Sequence, residues 1–213
     1  MQRIEPFEKY IKEYDEWFIK NQNIYLAELK AVREVISCNG FGLDVGVGSG
    51  RFALPLGVQI GVDPSKKMAD ISKNRGIQVS QGIAEQLPFY DRTFDFALMI
   101  TTICFLKDIL QSLSEVYRIL KNHGFIVVGF IDKKSKLGTL YQQKPYRSKF
   151  YRDAIFYSVN EVIRYLKKAN FNDFLIKQTL FLGPPDVLET VENGYGKGSF
   201  VVIKAIKLEN TRS

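Results

Sequence analysis

Cysteine and histidine are scarce in this chain of 213 residues, which has two cysteines, Cys38 and Cys104, and one histidine, His123. Two distant cysteines are too few for a disulfide framework or a zinc site. Since the sequence contains no run of 18 apolar residues, we expect no membrane-spanning helix. The acidic N-terminal stretch also lacks the apolar core of a signal peptide. These absences favour a cytoplasmic protein without a metal site.

The remaining composition is that of an ordinary globular chain, with 46% hydrophobic and 25% charged residues. Its length fits one domain with a few added elements, so we expect a single domain over residues 1–213. The net charge of +7 can attract anions, including nucleic acid, to the surface. Charge of this size does not by itself indicate a nucleic-acid-binding protein.

A glycine-rich loop follows a short apolar run at residues 41–45. The stretch from Leu43 to Gly50 reads L-D-V-G-V-G-S-G, with glycines at alternate positions 46, 48 and 50. Glycine accepts positive φ and has no Cβ, so backbone can approach a flat or charged ligand closely. The spacing is one residue tighter than the dinucleotide motif, whose third glycine serves a helix aimed at a pyrophosphate. It favours a nucleoside without phosphate over the alternative, a simple glycine-rich turn.

Asp63 ends the next predicted strand, about 20 residues after Asp44. An acidic residue at this place grips a ribose in nucleotide-binding sheets, because one carboxylate accepts hydrogen bonds from both hydroxyls. The alternative is that Asp63 is the N-cap of the helix that follows Pro64. The upstream glycine loop favours the ribose contact, and the two roles are compatible.

Five segments, in order along the chain, resemble the class I S-adenosylmethionine-dependent methyltransferases. The resemblance is to the small-molecule branch that includes the ubiquinone and menaquinone biosynthesis enzymes. The segments are L-D-V-G-V-G-S-G at 43–50, G-V-D-P-S at 61–65, G-I-A-E-Q-L-P-F at 82–89, F-D-F-A-L-M-I-T at 94–101 and Y-R-I-L-K-N-H-G-F-I-V-V-G at 117–129.

The resemblance implies a Rossmann-like α/β fold: a seven-stranded, mostly parallel sheet with an antiparallel last strand and an N-terminal helical cap over residues 1–38. Segments 132–157 and 182–197 would be insertions on the substrate side. The implied cofactor is S-adenosylmethionine, and the implied partner is a small-molecule methyl acceptor. The implied cofactor contacts are Asp44, Gly46, Val47, Gly48, Gly50, Asp63, Pro64, Met68, Ala84, Glu85 and Thr101.

The chain departs from the family pattern at three places. Ile83 replaces the usual aspartate that reaches the adenine amino group, so adenine recognition would rest on backbone near Ala84 or on Glu85. The stretch N-H-G replaces the usual P-G-G before the fifth strand. The helix between the first two strands is also short, since Pro55 interrupts it.

Strands and helices alternate along most of the chain, which predicts a parallel sheet. Apolar residues at helical spacing predict a helix over 7–37, broken near 21–23. The other predicted helices are 65–75, 108–121 and 159–169, the last beginning with a capping box at Ser158 and Glu161. The predicted strands are 41–45, 58–62, 77–80, 94–100, 124–131, 173–181 and 198–207, the last two forming a hairpin-like pair.

His123 and Cys104 are not expected to carry the chemistry. His123 lies at the amino end of the predicted sheet, whereas ligands bind beyond the carboxyl ends, so it is read as a surface turn residue. Cys104, in T-T-I-C-F, lacks the Pro-Cys pair of the C5-pyrimidine methyltransferases and is read as a small apolar filler.

Two segments are candidates for covering the active end of the sheet. The aromatic residues Tyr14, Trp17 and Phe18 either close over the methionine end of the cofactor or pack a helix on the sheet edge. The basic segment 133–152, with Tyr141 and Tyr146, is either a mobile substrate lid or a nucleic-acid surface. The lid is favoured because the family's substrate-binding insertion falls here, and an RNA methyltransferase is the alternative.

Methyl transfer from a sulfonium is an in-line displacement from a donor that is already activated. The protein chiefly positions the nucleophile and excludes water. The Asp-Pro-Pro-Tyr and Asn-Pro-Pro-Tyr motifs of amino-methylating nucleic-acid enzymes are absent after the fourth predicted strand. We therefore expect metal-free methylation of O, N or C of a small molecule. The retained cofactor loops disfavour a non-catalytic binding protein.

Overall fold

The computed structural model describes residues 4–36, 40–143, 149–183 and 187–208. They contain an eight-stranded sheet in the order β3-β2-β1-β4-β5-β8-β6-β7. Strands β1 to β5 run parallel, and β8 pairs antiparallel with both β5 and β6. The strands are β1 (Gly42–Val45), β2 (Ile60–Asp63), β3 (Gln78–Gln81), β4 (Phe94–Ile100), β5 (Leu120–Ile131), β6 (Phe171–Thr179), β7 (Glu192–Asn193) and β8 (Phe200–Lys207).

Seven α-helices accompany the sheet in the described part of the chain. They are α1 (Glu5–Lys9), α2 (Ile11–Lys20), α3 (Gln22–Arg33), α4 (Lys66–Asn74), α5 (Ile109–Ile119), α6 (Lys136–Gln142) and α7 (Val159–Lys168). None of these helices combines the length and apolar character that crossing a membrane requires.

Successive side chains of the central strands point to opposite faces of the sheet, so apolar residues form a core on both faces. In β5, Ile126 and Val128 pack on the side of α5 and α7, whereas Phe125 and Val127 pack on the side of α3. The first turns of two helices are fixed by side-chain caps: Asp108 accepts from the backbone of Gln111, and Ser158 and Glu161 form the predicted capping box.

The predicted α/β class, the antiparallel last strand and the pairing of the last two long strands are confirmed. The predicted number of seven strands is too low by one, because the two-residue β7 is too short to leave a pattern. The first predicted helix is divided at Tyr10 and Asn21, the second break falling where it was expected. Helix α6 was not predicted, since Gly138 lowers helix propensity inside it.

The strand order changes direction between β1 and β4, and this is the topological switch point of the sheet. The glycine loop follows β1 and Thr101 follows β4, so both lie beyond the carboxyl ends of neighbouring strands. Open α/β sheets bind ligands in the crevice at this place. The fold therefore positions the predicted motifs where a ligand would lie.

Candidate active site

A cavity of about 700 Å³ lies beyond the carboxyl ends of the central strands. This volume is within the usual range for small-molecule sites. Its wall is built by the glycine loop, β2, β4, the three N-terminal helices, α6 and residues 149–151. Of the residues predicted as cofactor contacts, those that line it are Gly46, Gly48, Asp63, Pro64, Met68, Ala84 and Thr101.

The glycine loop exposes its backbone to this cavity at Gly46 and Gly48. Both have positive φ, 76° and 54°, which disfavours any residue with a Cβ. A Cβ on Gly46 would lie 2.6 Å from Cγ2 of Thr102, whereas one on Gly48 would lie 3.3 Å from the hydroxyl of Tyr14. Gly46 is therefore also required by packing, whereas a Cβ on Gly48 would be in tight contact with the hydroxyl of Tyr14.

Gly50 and Val47 do not line the cavity. A Cβ on Gly50 would lie 2.5 Å from Ile77, so this glycine allows the loop to pack on the body of the fold. The side chain of Val47 occupies the space that a Cβ on Gly61 would need. These two residues of the motif shape the loop from behind.

Asp63 lines the cavity and is not the N-cap of α4, so that alternative is wrong: Ser65 is the N-cap, and its Oγ accepts from the backbone of Met68. The two carboxylate oxygens of Asp63 accept from the N–H groups of Gly48 and Ser65, each at 2.8 Å. Burial raises the pKa of this carboxyl to about 6, and the two hydrogen bonds oppose that rise. Each oxygen keeps a lone pair for a further donor.

We expect Asp63→Ala to cost about 1.5–3 kcal/mol of cofactor affinity, the scale of a hydrogen bond to a charged group. Calorimetric titration with S-adenosylmethionine measures this loss. The matched control is Asp108→Ala, which removes an N-cap aspartate that does not line the cavity and should lower stability alone. Unchanged affinity of the Asp63 variant would show that this carboxylate serves only the loop.

Asp44 and Glu85, two further predicted contacts, do not line the cavity. Asp44 is buried at the end of β1, where burial and then the charge of Asp63 raise its pKa to about 7. Glu85 accepts from the N–H groups of Lys107 and Asp108, at 2.9 and 3.2 Å, and so holds the start of α5. Its carboxylate is committed to the fold, which leaves backbone near Ala84 as the candidate for adenine recognition.

Thr101 has a strained backbone at the floor of the cavity. Its φ is 54°, a value that is rare for a β-branched residue. Its N–H donates to Gly129 at 2.7 Å, which holds the turn in place after β4. Strain of this kind concentrates at functional sites.

The N-terminal helices close one side of the cavity with aromatic rings. Tyr14, Trp17 and Phe18 all line it, and the ring of Phe18 also packs edge-on against Tyr25 and Phe52. The two readings of this segment are thus compatible, because the same stripe packs the helix and faces the cavity.

A polar contact that the sequence did not indicate joins the cap to the glycine loop. Asp15 accepts hydrogen bonds from Ser49 Oγ at 2.8 Å, from Arg51 Nε at 3.1 Å and from the guanidinium of Arg75. Partial burial works to raise the pKa of Asp15, but these donors lower it below its usual value. Glu8 of α1 similarly accepts from Ser65 Oγ at 2.6 Å.

Another part of the cavity wall is formed by α6 and the segment after residue 148. Tyr141 and Tyr151 line it with their rings stacked at a centroid distance of 5.3 Å. Phe150 lines it as well and contacts Phe7 and Tyr14 of the cap. Tyr146, the other residue predicted here, lies outside the described residues.

Glu28 of α3 is a charged cavity residue that the sequence analysis did not single out. It is buried, with 5% of its surface exposed, and burial raises the pKa of its carboxyl to about 8. Its negative charge in turn contributes to the raised pKa values of Tyr14, Tyr25, Tyr141 and Tyr151. The available signal was an acidic residue on the apolar face that Ile24 and Ala31 mark at helical spacing.

Neither of the two residues that were set aside lines this cavity. His123 is exposed at the start of β5, with φ of 62°, as expected for a turn residue. Cys104 is buried in the core and does not line the cavity, in agreement with its reading as a filler.

The comparisons with known proteins agree with this geometry. The methyltransferase-domain family model matches residues 43–128. A Thermotoga maritima structure, described as an S-adenosylmethionine-dependent methyltransferase and possible histamine N-methyltransferase, is 46% identical, with a TM-score of 0.90 over 94% of this chain and 97% of that one.

Two curated relatives extend the comparison. An uncharacterised protein of Methanocaldococcus jannaschii is 45% identical over 95% of this chain and 98% of its own length. The ubiquinone/menaquinone biosynthesis C-methyltransferase of Rickettsia akari is 31% identical over 65% of this chain and 61% of its own. With the switch-point cavity and its glycine loop, these similarities show that the chain belongs to the class I S-adenosylmethionine-dependent methyltransferases and is an enzyme whose cofactor is S-adenosylmethionine.

Proposed function

We propose that this enzyme methylates a small molecule held in the cavity beside the cofactor. The observation that carries the proposal is the extent of the cavity, which continues from the glycine loop to Tyr141 and Tyr151. The glycine loop and Asp63 account for one end of it, and the aromatic end is left for an acceptor. The Thermotoga relative is described as a possible histamine N-methyltransferase, and histamine is a small molecule.

The cofactor end fits S-adenosylmethionine. Gly48 leaves room that a Cβ would take, and both oxygens of Asp63 can accept a further hydrogen bond, as a ribose diol requires. When bound, the cofactor supplies a methyl group activated on a sulfonium. The proposed cofactor contacts are Gly46, Gly48, Asp63, Pro64, Met68, Ala84 and Thr101.

The protein's own contribution is orientation and exclusion of water. Apolar ring surface is presented to the cavity by Tyr14, Trp17 and Phe18 of the cap and by Tyr141 of α6. A dry, aromatic enclosure holds the acceptor in one orientation and keeps water from the reacting centre. We assign these four residues to the acceptor and to the cover above it.

The contacts of the basic segment support the lid hypothesis better than the RNA-binding alternative. Lys149 pairs with Glu13 at 3.0 Å and lies 3.9 Å from the ring centroid of Tyr10. Arg152 pairs with Glu5 at 3.4 Å. Both cations face carboxylates of the N-terminal helices, so their charge is partly neutralised before any phosphate could approach. The neighbouring aromatic residues, Phe150 and Tyr151, face the cavity.

Limited proteolysis tests the lid. We expect trypsin to cut first between Lys133 and Arg152 in the free enzyme, and cutting to slow when cofactor and acceptor are both bound, because closed lids are ordered by their ligands. Mass spectrometry of the fragments identifies the sites.

Resistance of this segment while other regions are cut would contradict the lid and favour a rigid basic surface. In that event, a gel shift with RNA that weakens as salt rises would support RNA methylation instead.

A further inference from the structure

The charged side chains that line the cavity differ in the hydrogen bonds and ion pairs that stabilise their charges. Asp63 accepts from two backbone N–H groups, and Glu189 accepts from the N–H groups of Phe181 and Gly183. Lys149 pairs with Glu13. Within the ranges that the structure describes, no residue donates a hydrogen bond or an ion-pair contact to the carboxyl group of Glu28. A buried carboxylate in this situation is costly unless something brings a compensating charge.

The position of Glu28 places it in the acceptor part of the cavity. Helix α3 packs against β6 and β8, which lie on the opposite half of the sheet from β1 and β2. The charge of Glu28 contributes to the raised pKa values of Tyr141 and Tyr151, in the part of the cavity wall formed by α6 and residues 149–151, and also to that of Tyr14 in the cap. The ribose-binding role belongs to Asp63, so Glu28 is available to a second ligand.

The aromatic rings that line the same cavity as Glu28 favour a cation. Tyr14, Trp17, Phe18, Tyr141 and Tyr151 present their surfaces to the same cavity. The faces of aromatic rings attract ammonium groups, more strongly where water is excluded. A carboxylate with aromatic walls thus provides both an ion-pair partner and a cation–π surface for one positive group.

We propose that Glu28 recognises the methyl acceptor and that the acceptor is a small molecule carrying a protonated amine or another basic nitrogen. This inference rests on the proposed function and deepens it by naming the chemical class of the acceptor. Glu28 acts here by holding the cation, and no bond to it forms or breaks. The raised pKa of the carboxyl in the free protein agrees with a group that lacks its counter-charge until the ligand arrives.

The test uses the fluorescence of Trp17, which lines the cavity and is the one tryptophan of the chain. The full-length protein with saturating S-adenosylhomocysteine is titrated with phenethylamine, with the neutral 2-phenylethanol and with the anionic phenylacetate. These probes share a phenyl ring and differ in charge. We expect phenethylamine to bind about tenfold or more tighter than the other two, since only its ammonium group can pair with Glu28 and favour the ionised form of that carboxyl.

The Glu28→Gln variant keeps the shape of the side chain and removes its charge. We expect it to lose the preference for phenethylamine while its calorimetric affinity for S-adenosylmethionine stays that of the wild type. The matched control is Glu34→Gln, which removes an exposed charge at the end of the same helix and should keep the preference.

Equal binding of the amine and the alcohol by the wild type, or an unchanged preference in Glu28→Gln, would overturn the inference and leave the small-molecule proposal standing. If none of the three probes binds the wild type while S-adenosylmethionine does, the inference fails, and the small-molecule proposal is decided separately by the proteolysis and RNA experiments described above.

Discussion

Gly48→Ala is expected to weaken S-adenosylmethionine binding by about tenfold or more, that is, by at least about 1.4 kcal/mol. The new methyl group would stand in the space beneath Tyr14, on the loop whose N–H meets Asp63 at 2.8 Å. Calorimetric titration measures the dissociation constant directly.

Gly57→Ala is the matched control. Gly57 also has positive φ, 73°, but nothing lies within 4 Å of its would-be Cβ and it does not line the cavity. Both variants therefore place an alanine in the left-handed backbone conformation, which lowers the free energy of unfolding by about 1–2 kcal/mol. Only the Gly48 variant should lose affinity, and equal dissociation constants for both variants would refute the placement of the cofactor at this loop.

Glu28→Gln should become more stable relative to the wild type as pH rises from 5 to 9. The carboxyl has a pKa of about 8 in the folded protein and an ordinary value of 4.5. Between these values the unfolded chain has released a proton that the folded chain still holds, so rising pH favours unfolding of the wild type. Glutamine has no proton to release, so the free energy of unfolding of the Glu28→Gln variant lacks this dependence on pH.

The expected widening of the stability gap is about 2 kcal/mol or more, because one unit of pKa difference corresponds to about 1.4 kcal/mol. Urea denaturation at pH 5, 7 and 9 measures it. Tyr14, Tyr25, Tyr141 and Tyr151 near Glu28 have raised pKa values and stay neutral over this range. Asp44 and Asp63 titrate in both proteins, so their effect cancels. A gap that stays constant with pH would mean that Glu28 is ionised in the folded state throughout.

Features that depend on residues close together in the chain could be predicted from the sequence. The glycine loop, Asp63 at the end of β2 and the capping box of α7 each lie within a few residues, and each was placed correctly. The carboxyl ends of parallel strands lie at one edge of the sheet. This rule predicted that motifs distant in the sequence would lie close to one another.

Contacts between distant segments could not be derived in the same way. The pairing of Asp15 with Arg75 joins residues 60 positions apart, and no periodicity reports it. Glu28 was concealed for a related reason, since a helical pattern identifies a buried face but not the cavity that the face meets. Glu85 was assigned to the cofactor from its place in a motif, whereas tertiary packing directs it to the start of α5.

The hydrogen bonds that join the N-terminal helices to the glycine loop and to the start of α4 affect the measured strength of cofactor binding. Asp15 and Glu8 close the cap on Ser49 and Ser65, which belong to the elements that also carry Gly48 and Asp63. Any opening of the cap is coupled to cofactor binding through these contacts, and the apparent dissociation constant is then the intrinsic one divided by the closed fraction. Substitutions on the outer face of the cap that weaken these contacts are therefore expected to lower cofactor affinity without touching the ligand.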